Sequence, residues 1–165
     1  MLKKISVIVS VVCVLVVVLA CDSHRVYDEY KSLPNQWHKD SIVNFEVQPP
    51  DTLNAYNLYI NLRANNAYKY NNLYLIAELN YPNGKAITDT LEYKMAAPTG
   101  ELLGKGFSDV KESKLWYKGY DSDFIFNETG IYNINIQHAM RKNGEVNGVE
   151  NLEGITEIGF RIEKK

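Results

Sequence analysis

The sequence predicts an all-β protein: an antiparallel β-sandwich of about seven or eight short strands, immunoglobulin-like or jelly-roll-like, with a small β-barrel as the runner-up. Three observations carry that reading. Beyond about residue 40, apolar and polar residues alternate with period two, which is the pattern of a half-buried strand. Turn-forming residues separate the alternating runs at intervals of roughly 12 residues. No window of about 12 residues holds a helical apolar stripe.

The strands follow in order. Val43, Phe45 and Val47 alternate with Asn44 and Glu46, and Pro49-Pro50-Asp51 ends that run because proline cannot donate to a ladder. Leu58, Ile60 and Leu62 alternate with Tyr59, Asn61 and Arg63. Leu73, Leu75, Ala77 and Leu79 alternate with Tyr74, Ile76, Glu78 and Asn80. Pro82-Asn83-Gly84 then reads as a tight hairpin turn. After it, Ile87, Asp89, Leu91 and Tyr93 face one way, and Thr88, Thr90 and Glu92 the other. Ala96–Gly106 holds Pro98, Gly100, Gly104 and Gly106 and reads as a long irregular connection. Tyr132, Ile134, Ile136 and His138 form a further strand. Asn143-Gly144 and Asn147-Gly148 bracket a turn region, and Ile158, Phe160 and Ile162 make the last strand. The loop Ala64–Asn72 is rich in Asn and Tyr and is expected to be an exposed polar hairpin tip.

The first 20 residues differ in kind. Sixteen of the 20 residues Met1–Ala20 are apolar, against about 41% of the remainder. Lys3 and Lys4 precede an apolar run too short for a membrane span of about 20 residues, which is the layout of a secretory signal. Val18-Leu19-Ala20-Cys21 resembles a bacterial lipobox. The resemblance assigns 1–20 to a lipoprotein signal peptide and makes Cys21 the acylated first residue of the mature chain. Residues 21–40 are then a lipidated N-terminus and tether, polar over Asp22–Leu33, and 41–165 a single sandwich domain. Each buried methylene of an acyl chain contributes about 0.8 kcal/mol, so two or three chains give a stable membrane partner.

Composition excludes several functions. Net charge is −2, with no basic stripe, so nucleic acid is not expected as a partner. Cys13 leaves with the signal, so no disulfide or cysteine-based zinc site is expected in the domain. His24, His38 and His138 lack metal-ligand spacing and read as solvated or packed side chains. No nucleophile elbow or phosphate-binding loop occurs. Asp121-Ser122-Asp123, with Glu128 nearby, offers oxygen ligands but lacks the spacing of a calcium loop. A carboxylate pair for hydrolysis cannot be chosen among 20 acidic residues. The expectation is therefore no enzyme, no cofactor, no metal and no small-molecule substrate. Asp51-Thr52-Leu53 and Asp89-Thr90-Leu91 resemble a short bacterial O-glycosylation pattern, with Thr52 the better candidate.

Aromatic residues are the remaining chemistry. Tyr56, Tyr59, Tyr74, Trp37 and Tyr120 belong to this group, and Tyr68, Tyr70, Trp116 and Tyr117 are the candidate binding surface. Such side chains stack on sugars or anchor proteins, although strand tyrosines also cover sheets without any ligand.

Longer segments point further. Asn72–Gly84, Asp89–Tyr93, Met95–Gly100, Leu103–Gly106, Lys114–Lys118, His138–Arg141 and Ile158–Phe160, with the lipobox, resemble the gliding-motility lipoprotein GldH family of the Bacteroidota over residues 21 to 163. The resemblance implies a non-enzymatic envelope lipoprotein of the gliding machinery, linked to type IX secretion and adhesin movement. It implies other gliding and secretion proteins as partners, and Cys21 as the one family residue to carry over. The outer rather than the inner membrane is expected, with the facing side open. The rival reading is a carbohydrate-binding surface lipoprotein, and a hydrolase stands third.

Overall fold

The computed structural model describes residues 24–106 and 109–165. The expected signal peptide and Cys21 lie outside them. Ten strands follow in chain order: β1 Arg25–Ser32, β2 Gln36–His38, β3 Val43–Val47, β4 Tyr56–Ala64, β5 Asn72–Asn80, β6 Ala86–Lys94, β7 Lys111–Lys118, β8 Tyr132–His138, β9 Asn151–Glu153 and β10 Ile155–Lys164. They form two four-stranded antiparallel sheets, β1-β10-β4-β7 (sheet I) and β3-β8-β5-β6 (sheet II), with a short β2-β9 ribbon. Neither sheet closes on itself, so the sandwich holds and the barrel does not.

The period-two pattern dictates what lies between the sheets. Leu58, Ile60 and Leu62 of β4 are fully buried, as are Ile158, Phe160 and Ile162 of β10. Leu73, Leu75, Ala77 and Leu79 of β5 and Tyr132, Ile134 and Ile136 of β8 oppose them. Phe45 and Phe160 meet across the sheets at 5.9 Å between ring centres. Each fully buried Leu, Ile or Phe contributes about 1.5–3 kcal/mol. His138 is packed, as expected, and its Nε2 lies 2.9 Å from the Trp37 carbonyl. Burial holds its pKa below the ordinary value, against the opposing Trp37 carbonyl.

Three expectations need correction. The tether ends early, because β1 pairs with β10 from Arg25↔Glu163 to Ser32↔Glu157 and β2 pairs with β9, both within 21–40. Its polar sequence suits an edge strand, which buries only part of one face. The loop after β4 is not wholly exposed: Tyr68 is buried there and donates its hydroxyl to the Asn72 carbonyl at 2.6 Å. Gly154 crosses it at φ +85°, where a Cβ would stand 2.2 Å from the Tyr68 nitrogen. Tyr117 faces inward from β7 toward Phe160, 6.3 Å between ring centres.

The expected hairpin is present: Tyr81 N bonds Lys85 O at 2.8 Å, with Gly84 at φ +88°. Residues 96–106 are irregular but tied to β7, since Lys105 and Glu112 exchange backbone bonds of 2.8 and 2.9 Å. They cover part of the free edge of β7. The Tyr93 hydroxyl donates to the Trp116 carbonyl beside it.

Candidate functional site

The outward residues of sheet I bring charged and aromatic groups together across four strands. Alternation along β4 sends Tyr59, Asn61 and Arg63 outward. Register with β10 sets Glu157, Gly159, Arg161 and Glu163 beside them. Register with β7 adds Glu112, Lys114 and Trp116, and β1 adds Asp28 and Tyr30.

Each cation of this face is paired with a carboxylate, and Arg63 and Arg161 each bridge two. Arg63 Nε donates to Glu112 at 2.7 Å and its Nη1 to Glu157 at 2.5 Å. Lys114 bonds Glu163 at 2.7 Å. Arg161 bonds Glu163 at 2.6 Å and Asp28 at 3.3 Å. The rings complete the layer. The Arg63 guanidinium lies 4.4 Å from the Tyr30 ring centre and the Lys114 ammonium 3.9 Å from that of Tyr59. Asn61, itself buried, donates to the Tyr30 hydroxyl at 2.8 Å. The Tyr30 ring occupies the space above Gly159, where a Cβ would meet it at 2.8 Å.

This wiring fixes protonation. Hydrogen bonds donated to Glu112 and Glu157 hold Arg63 well above its ordinary pKa. Burial, then the nearby Glu112 and Asp28 charges, push the Tyr30 hydroxyl up to about 12. Burial opposes ionisation of Glu163, yet Lys114 and Arg161 overbalance it and leave the pKa below the ordinary value. Together these groups present paired charge and aromatic rings on one surface.

The four aromatic candidates do not converge. Tyr68 and Tyr117 are buried. Tyr70 stands against Tyr68, 5.8 Å between ring centres, and lines a cleft of about 470 Å³ with Lys69, Lys142 and Glu145. Trp116 lies on the outer face of sheet I, 39% exposed, packed on Tyr59 at 4.4 Å and beside Tyr120 at 5.3 Å. Tyr120 is 72% exposed and borders a second cleft of about 310 Å³ with Tyr81, Asp121 and Ser122. Tyr59, Asn61 and Tyr30 were not separable as a set by sequence, because their convergence needs the strand order of sheet I.

The acidic turn is engaged elsewhere. Asp123 bonds Lys165 at 2.7 Å, and Glu128 accepts from Asn83 at 2.6 Å. Among the described residues, no three His, Cys, Asp or Glu side chains stand close enough to hold a metal ion.

Fold and surface define a two-sheet, polar-faced β-sandwich domain. Comparison with known proteins makes this specific. A sequence model described as GldH lipoprotein matches residues 25–162. The chain is 59% identical over 145 residues to the gliding motility lipoprotein GldH homolog of Christiangramia forsetii, covering 88% of this chain and 87% of the relative. It is 51% identical over 150 residues to the gliding motility lipoprotein GldH of Flavobacterium johnsoniae, covering 91% of each. This chain belongs to the GldH lipoprotein family. Among solved structures, the infectious bursal disease virus VP2 subviral particle gives a TM-score of 0.37 at 15% identity. That match covers 87% of this chain and 33% of the viral one, and is too loose to carry a conclusion.

Proposed function

We propose that this chain is a non-catalytic lipoprotein of the gliding machinery, anchored through acylated Cys21 and serving adhesin movement linked to type IX secretion. The carrying observation is the family match over 25–162, joined to relatives whose names specify gliding motility. The firmly paired ionic layer on sheet I supports a binding role over a catalytic one. The anchor sits in the outer membrane on this reading, and other gliding proteins are its partners.

Deleting the gene in a gliding strain should abolish colony spreading, and an episomal copy should restore it. Normal spreading with normal adhesin export in the deletion strain overturns the proposal. Cys21→Ser should release the protein from the membrane fraction, and density fractionation of the wild type should place it with outer-membrane markers.

A second reading, carbohydrate binding, rests on the exposed pair Trp116 and Tyr120 and on Tyr70 in its cleft. Half-exposed rings beside a cleft are the geometry on which sugars stack. Glycan-array binding lost in Trp116→Ala favours it, and a silent array counts against it.

A further inference from the structure

Three residues separate Cys21 from Arg25, the first residue of β1. They span at most about 11–14 Å even when extended. His24 is already tied to the fold, because its carbonyl accepts from Lys164 N at 2.9 Å. An acyl anchor on Cys21 therefore holds one particular end of the sandwich at the bilayer.

Strand directions identify what else lies at that end. β3 finishes there and β4 begins there, with Tyr56 opposite Lys164. The β5–β6 turn and the loop from Gly119 to Ile131 share it. These pieces interlock: Tyr56 N bonds Phe124 O at 2.8 Å, Asn83 bonds Glu128, and Lys165 bonds Asp123. The end is a built surface.

It is also where apolar side chains stand in water. Among the described residues, eight large apolar side chains are exposed, and four of them, Leu53, Tyr120, Ile125 and Ile131, project from this end. Leu53 is 84% exposed, yet its backbone is fixed, since Leu53 N and Asn54 N both donate to Asp51 Oδ1 at 2.9 and 2.8 Å. Arg25, Lys85, Lys164 and Lys165 stand at this end with Asp51, Asp121, Asp123 and Glu128, so neither sign dominates. A zwitterionic lipid surface fits this mixture of apolar tips, a ring and balanced charge.

We propose that this end lies on the bilayer, with Leu53, Tyr120, Ile125 and Ile131 entering the headgroup region. The anchor and the tips together then orient the domain, turning the Tyr70 cleft and Val146 away from the membrane. The proposal rests on acylation of Cys21. The anchor supplies a high local concentration of bilayer, so weak insertion is enough to populate the docked state.

The test uses the full acylated lipoprotein in vesicles of phosphatidylcholine and phosphatidylethanolamine. Leu53→Cys and Val146→Cys variants each carry an environment-sensitive fluorophore on the introduced thiol, with nitroxide lipids as quenchers. Quenching should be several-fold stronger at position 53 than at 146, and Ile131→Asp should remove the difference while circular dichroism stays unchanged. Equal quenching at both positions overturns the proposal. So does a label at 53 that stays in water on vesicles but is shielded in native envelopes, which would identify a protein occupant. Mass spectrometry of the mature N-terminus reads the anchor separately. An unacylated Cys21 sinks the anchor itself, whereas acylated protein with position 53 in water sinks only the docking.

Discussion

The two outer faces of the sandwich are made by the same strand alternation and differ in how their polar groups are satisfied. On sheet I, Arg63, Lys114 and Arg161 each join strands through charge, and two of the three also sit on tyrosine rings. On sheet II, amides do the joining. Asn44 donates to Asn135 at 2.8 Å, Asn135 to Glu78 at 3.1 Å, and Asn80 to Glu78 at 2.7 Å. The charged face is a network in which one deletion strands several partners. The amide face is a chain of short links that water can replace.

The difference can be broken hardest at Gly159. A side chain there collides with the Tyr30 ring, which Asn61 and Arg63 hold in place. Gly159→Val should destabilise the fold by about 1–3 kcal/mol, because relief requires displacing a packed ring. Thr88→Val, on the outer face of sheet II, should stay within about 0.5 kcal/mol. Urea denaturation of both variants checks this, and a neutral Gly159→Val would show that Tyr30 does not depend on the open position beneath it.

That collision also marks what the sequence left illegible. The strands at 43–47, 58–62, 73–79, 87–93, 132–138 and 158–162 are readable because apolar residues dominate one face of each, with only Asp89 and His138 departing from it. β1 is not, since Arg25, Asp28, Glu29 and Lys31 mask an edge strand that buries only part of its width. β7 is masked by Lys111, Glu112 and Lys114, and its two adjacent aromatics are split by the pleat, which sends Tyr117 inward and Trp116 outward. Tyr68 looked like a loop-tip residue because nothing local announces that Gly154 crosses over it. The ionic layer depends on β1 and β10 being neighbours, which are at opposite ends of the chain.

A smaller effect should follow from removing one hub on each face. Arg63→Met leaves Glu112 and Glu157 facing each other without a cation. The loss should be about 1–2 kcal/mol, below that of a fully buried pair because the arginine is partly exposed. In a double-mutant cycle, adding Glu157→Gln should recover part of it. Asn135→Ala breaks two amide-face bonds and should lose only about 0.5–1 kcal/mol, with nothing recovered by a second change at Asn44. Equal coupling on both faces would erase the distinction between network and chain.

The finest contrast separates charged from neutral hydrogen-bond donors at two glutamates. The pKa of Glu163 is held below its ordinary value although burial opposes this, because Lys114 and Arg161 overbalance it. Glu78 is also held low, through hydrogen bonds from Asn80 and Asn135. In each case the native state binds fewer protons than the unfolded chain. The stabilisation is therefore present above the ordinary glutamate pKa of 4.5 and is lost as pH falls through the lowered folded-state value. Salt should divide them. At about 1 M the screening length shrinks to roughly 3 Å, which weakens attraction to cations more than a direct amide bond. Carbon-detected NMR titration of the two carboxyls at low and high salt should show Glu163 moving up toward the ordinary value while Glu78 holds its place. Parallel movement of both would mean that charge, rather than direct amide donation, holds Glu78 low as well.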